Sequence, residues 1–181
     1  DEEHAQVPEE DKRGDELVAA GEVLVDADEL LHAPGLLLDP GHAGSQYFRG
    51  IALTRLGRHK EAIESFEEAL RIDDGCASAA FQEGISYASL GRFAEAVAAY
   101  DRALRINPGF SDALYHKGFA LSKLGRNEDA VQEFERTIAF DPTNAQAFHQ
   151  KGLQLAKIGK LEDAIEAFDK SIELKPSYAQ A

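Results

Sequence analysis

Apolar side chains fall at three- to four-residue spacing in two blocks between residues 77 and 110. The first block, Ser78 to Leu90, carries Ala79, Ile85, Tyr87 and Leu90; the second, Ala94 to Ile106, carries Ala96, Val97, Tyr100, Ala103, Leu104 and Ile106. This periodicity predicts two amphipathic helices. Gly91 between them suits a left-handed cap on the first helix, and Asn107-Pro108 stops the second, since proline and its predecessor both resist helix.

The pattern then recurs at a period of thirty-four residues without an insertion. Glycines stand at Gly50, Gly84, Gly118 and Gly152, and again at Gly57, Gly91, Gly125 and Gly159. Behind them come Ala62, Ala96, Ala130 and Ala164, the aromatics Phe66, Tyr100, Phe134 and Phe168, and the small residues Ala69, Ala103, Thr137 and Ser171. Pro108, Pro142 and Pro176 close three units, with Asp74 in that place in the first. An acidic residue opens each second helix (Glu61, Glu95, Asp129, Asp163), where it meets the positive end of the helix dipole. Small residues at Gly84 and Ala96 let the two helices of a hairpin approach, Tyr100 fills the space beyond, and Ala103 admits the next hairpin. One unit cannot bury its own apolar face, so the units stack. The expected organisation is an acidic tail at 1–13, a degenerate unit at 14–42, full units at 43–76, 77–110, 111–144 and 145–178, and the start of another at 179–181. The chain contains no methionine, and Ala179-Gln180-Ala181 repeats Ala145-Gln146-Ala147, which points to a piece of something longer.

Charge adds an asymmetry. The net charge is −14, of which residues 1–42 supply −11 and residues 43–181 only −3. An acidic chain repels phosphate backbones, so nucleic acid is not an expected partner. No apolar run reaches the roughly 18 residues of a membrane span. The single Cys76 forms no internal disulfide, and with these features a cytoplasmic protein is expected.

The order Gly84, Tyr87, Gly91, Ala96, Tyr100, Ala103, Pro108, repeated over residues 43–178, resembles the tetratricopeptide repeat, in a style similar to prokaryotic and archaeal members. The resemblance implies an all-α, right-handed superhelix of antiparallel hairpins whose first helices line a concave groove for a partner's peptide. Two columns depart from the family. Its early tryptophan is replaced by Gln46, Ala80, Leu114 and Phe148, with Gln46 expected to loosen the first hairpin. The leucine before the glycine is replaced by Arg49, Glu83, Lys117 and Lys151.

Three rows spaced by four on each first helix share one face, and the resemblance places them in the groove. They read Tyr47, Ile51, Arg55; Phe81, Ile85, Ser89; Tyr115, Phe119, Lys123; and His149, Leu153, Lys157. The middle row is equally readable as core between the helices. An apolar floor with a cationic margin suits a peptide with apolar anchors and acidic residues or a free carboxylate. The lysine and asparagine clamp for terminal carboxylates is missing, as is the asparagine ladder, whose column holds Phe48, Gln82, His116 and Gln150. The six histidines show no metal-ligand spacing and no phosphate-binding glycine loop follows a strand, so no catalytic residue, metal or cofactor is expected. The expected function is a non-catalytic interaction scaffold. Competing readings are self-association through an uncapped end around Ile165, Phe168, Ile172 and Leu174, a groove filled by residues 26–40, or the regulatory arm of a longer enzyme.

Overall fold

The computed structural model describes residues 42–176; the expectations for the tail, for the degenerate unit up to residue 41 and for residues 177–181 lie outside the described residues. Eight helices make up the described chain: α1 Ala43–Arg55, α2 His59–Ile72, α3 Ala77–Ser89, α4 Phe93–Ile106, α5 Ser111–Lys123, α6 Asn127–Phe140, α7 Ala145–Lys157 and α8 Leu161–Leu174. No strand occurs among the described residues. First helices begin thirty-four residues apart, and so do second helices. In the second hairpin each helix starts one residue ahead of the sequence expectation, at Ala77 and Phe93.

Turn chemistry sets the hairpin angle. Gly57, Gly91, Gly125 and Gly159 all take positive φ, between 72° and 80°. Around Gly91, its amide bonds the Ala88 carbonyl and the Arg92 amide bonds the Tyr87 carbonyl at 2.9 Å, the doubled closure of a Schellman cap. The second helices end differently. Asp73, Asn107 and Asp141 accept a hydrogen bond through Oδ1 from the amide two residues on, at 3.0, 3.2 and 3.0 Å, turning the chain toward the next unit.

The two glycine columns do separate jobs. At Gly50, Gly84, Gly118 and Gly152 an added Cβ would lie 2.5, 2.4, 2.9 and 2.7 Å from the ring of Phe66, Tyr100, Phe134 and Phe168. The aromatic of the second helix thus packs the Cδ1, Cε1 and Cζ side of its ring directly against the glycine of the first. Phe66, Tyr100 and Phe134 are fully buried there. A continuous core runs from Leu53 through Leu70, Tyr100 and Leu114 to Phe134, and a smaller cluster of Val131, Leu155, Ala164 and Ala167 closes the far end. The first hairpin is not loosened by Gln46: α1 packs on α2 as closely as the other pairs do, because Gly50 on Phe66 and the buried Leu53 and Ala62 carry the contact.

α8 lacks a following hairpin among the described residues. Its Ile165 is 61% exposed, whereas Ile63, Val97 and Val131 in the same register are 6%, 9% and 9% exposed. Leu161 and Ile172 are exposed with it.

Candidate functional site

Successive first helices touch one another, α1 with α3, α3 with α5 and α5 with α7, and no contact of similar extent joins successive second helices among the described residues. The layer whose members crowd together lies on the inside of the curve. α1, α3, α5 and α7 therefore form the inner face.

The three sequence rows separate on that face. Tyr47, Phe81, Tyr115 and His149 turn their rings to the second helix of their own hairpin, 6.0 Å from Phe66, 5.9 Å from Tyr100, 5.7 Å from Phe134 and 5.6 Å from Phe168. Tyr47, Tyr115 and His149 are half-buried, while Phe81 is only 9% exposed and also packs on Phe110 at 4.9 Å and His116 at 5.5 Å. The middle row is the more open one toward the C-terminus. Ile51, Ile85 and Phe119 are half-buried and Leu153 is 37% exposed. Arg55, Ser89, Lys123 and Lys157 are exposed. Lys123 Nζ sits over the Phe119 ring, 5.0 Å from its centre, and Lys157 Nζ donates to Gln154 Oε1 at 3.1 Å. Lys123 is thus held beside the apolar row, whereas Lys157 is held by the buried Gln154.

A ring cluster ties the second and third hairpins together. His116 stands 5.5 Å from Tyr115 and from Phe81 and 6.1 Å from Tyr100. Burial pushes its imidazole pKa down, partly offset by the Asp112 carboxylate. The Tyr100 hydroxyl is buried without a hydrogen-bond partner among the described residues, and burial raises its pKa.

On the opposite, outer face the three cations of the column Arg49, Glu83, Lys117, Lys151 form contacts that sequence reasoning missed. Arg49 donates to Ser65 Oγ at 2.6 Å. Lys117 bridges Asp101 at 2.7 Å and Glu133 at 2.8 Å, and Arg136 adds a second cation to Glu133. Lys151 pairs with Glu135 at 2.8 Å. The signal was present, because each lysine follows an acid by sixteen residues, but it needs the helix rotations to be read. Between α6 and α8, over α7, a cleft of about 690 Å³ opens where Ala167 stands in the register of Glu133; Val131, Phe148, Leu155 and Ile158 line it. No cluster of three or more potential metal ligands occurs among the described residues, and no helix there is long and apolar enough to cross a membrane.

Three family models, each described as a tetratricopeptide repeat, match residues 43–108, 81–145 and 133–166. The chain belongs to the tetratricopeptide repeat family. Its fold is accordingly the all-α superhelix of stacked hairpins seen in solved TPR proteins. One similar structure is that of MamA, 25% identical with a TM-score of 0.79, covering 93% of this chain and 97% of that one. Another is YrrB, described as a TPR protein with an unusual peptide-binding site, 26% identical with a TM-score of 0.73 over 91% of this chain and 84% of that one. The first TPR of Spaghetti (RPAP3), bound to the HSP90 peptide SRMEEVD, matches at 22% identity and a TM-score of 0.63 over 66% of this TPR chain and 95% of that one, which speaks to fold alone. No curated protein matches the sequence.

Proposed function

We propose that this TPR protein is a non-catalytic scaffold that holds a peptide segment of a partner against its inner face. The observation that carries the reading is the pairing of the apolar row Ile51, Ile85, Phe119 and Leu153 with the cationic margin Arg55, Lys123 and Lys157 on the inner layer of helices. Such a strip offers apolar anchorage and charge complementarity for a segment with apolar and acidic side chains. Tyr47, Phe81, Tyr115 and His149 support the strip from behind by fixing each first helix to its second. The peptide-binding site described for YrrB supports the same class of function.

The test is a displayed peptide library panned on the wild-type protein and counter-screened on F119A/L153A. Enriched peptides carrying apolar and acidic residues that lose affinity for the double variant, with helicity unchanged, are expected. Peptides that bind both proteins equally would remove the inner face from consideration. The exposed Ile165, Leu161 and Ile172 on α8 favour a second reading, self-association through that end. It predicts a mass by light scattering that rises with concentration and stays monomeric in I165E/I172K.

A further inference from the structure

Glu83 breaks the protein's own charge pattern. In the two hairpins after it, the same position carries a lysine that neutralises an acid of the preceding second helix, Lys117 on Asp101 and Lys151 on Glu135. The acid in that register is kept at Glu67, but the residue facing it is Glu83, again sixteen positions on. Two carboxyls therefore meet where a carboxylate and an ammonium meet elsewhere. The Tyr87 hydroxyl lies 3.2 Å from Glu67 Oε1.

Glu83 is 8% exposed and makes no hydrogen bond or ion pair among the described residues. A buried carboxylate without a close partner is costly, and it is relieved by a proton or by a cation that reaches it. Its oxygens are not sealed in, because the fully enclosed side-chain atoms without a partner among the described residues are His59 Nδ1 and Tyr100 Oη. Arg102, the nearest cation on α4, is held by the Leu70 carbonyl at 3.3 Å and does not close on Glu83. In the last hairpin the matching positions Glu135, Lys151 and Lys170 line the outer cleft, and Glu67, Glu83 and Arg102 hold the same registers on α2, α3 and α4.

We infer that the outer face at this register, a notch between α2 and α4, takes a lysine or arginine side chain of a basic partner segment, which supplies beside Glu67 and Glu83 the cation that Lys117 and Lys151 supply from within the chain in the following hairpins. The internal pairs give the distance from the acid of the preceding second helix: 2.7 Å from Lys117 Nζ to Asp101 and 2.8 Å from Lys151 Nζ to Glu135, the position that Glu67 holds here. Two carboxylates and a phenol fall short of the six to eight oxygens a calcium ion gathers. The site is on the face opposite the peptide strip proposed above and does not depend on it.

The experiment is fluorescence anisotropy with an end-blocked, fluorescein-labelled peptide of alternating lysine, arginine and glycine on the full chain, with its glutamine-substituted counterpart as the neutral control. E83Q and E67Q are expected to weaken binding by about tenfold or more, the scale of one lost charged hydrogen bond. E162Q, which removes the same charge from α8, is expected to change nothing. E83K should abolish binding and raise Tm by restoring the internal pair to Glu67. Equal weakening by E162Q would show general attraction to an acidic protein and overturn the proposal, as would unchanged binding to E83K. A heat of binding for calcium chloride alone that disappears in E83Q would assign the notch to a metal ion instead.

Discussion

A methyl group at Gly84 would stand 2.4 Å from the Tyr100 ring, against 2.9 Å for Gly118 and Phe134. Both rings are fully buried, so neither has room to retreat. Gly84→Ala is expected to cost about 2–3 kcal/mol of stability by overpacking, and Gly118→Ala about 1 kcal/mol, read from urea midpoints. Gly91→Ala has open space for its methyl but keeps φ at 73°, so its cost of about 1 kcal/mol comes from the left-handed backbone. Titration supplies the second residue-scale expectation. Burial first, and then the charge of Glu67, lifts the Glu83 carboxyl from 4.5 to about 7, with Arg102 pulling the other way. The folded state therefore holds a proton that the unfolded chain has released, and stability falls as pH rises from 4.5 to about 7. Glu83→Gln should remove that fall, leaving the variant the more stable protein at alkaline pH and the equal of wild type in acid. His116 has the opposite sign. Its imidazole is neutral when buried and takes up a proton more readily when unfolded, so its contribution is present above the usual 6.5 and lost as pH drops below it. His116→Gln, the residue type at Gln82 and Gln150, should flatten the acid limb of the same stability profile.

Helices separate what the sequence makes legible from what it hides. Their number, pairing and ends follow from Gly91, Pro108 and their repeats, because a left-handed residue and a missing amide are local constraints. The contact of Gly84 with Tyr100 is half-visible: the sequence shows a small residue that admits the helix and a ring that fills the space beyond, but that the ring closes directly on Gly84 depends on the rotation of α4. Groove and core in the first-helix rows were harder still. Tyr47, Phe81, Tyr115 and His149 share a face by spacing with Ile51, Ile85, Phe119 and Leu153, yet the first four turn toward their own second helices. A helical wheel does not say where the neighbouring axis lies. The same register also has different value in different hairpins. Val97→Ala should cost roughly 1–3 kcal/mol because its partners cannot collapse around the gap. Ile165→Ala, 61% exposed, should stay within about 0.5 kcal/mol. Hydrogen exchange is expected to agree, with α7 and α8 opening at lower free energy than α3 and α4, which are covered on both sides.

At the scale of the whole molecule, each hairpin rests only on its neighbours, so stability is a sum of local pieces rather than the property of one centre. Low contact order follows, and with it folding that starts in any interior pair. A further consequence concerns heredity more than mechanics. Deleting residues 77–110 would remove one whole period and set α5 on α2 through the register that α3 had occupied. Ala113 and Leu114 would take the places of Ala79 and Ala80 against Ala69 and Leu70, and Lys117 would arrive opposite Glu67. The shortened protein should melt as a cooperative, helical unit and lose the fall in stability between pH 4.5 and about 7 that Glu83 imposes. A gene built this way tolerates slippage by one full unit, since the new junction inherits a working seam. What such an edit would erase is a place where the outer charge pattern is left unfinished.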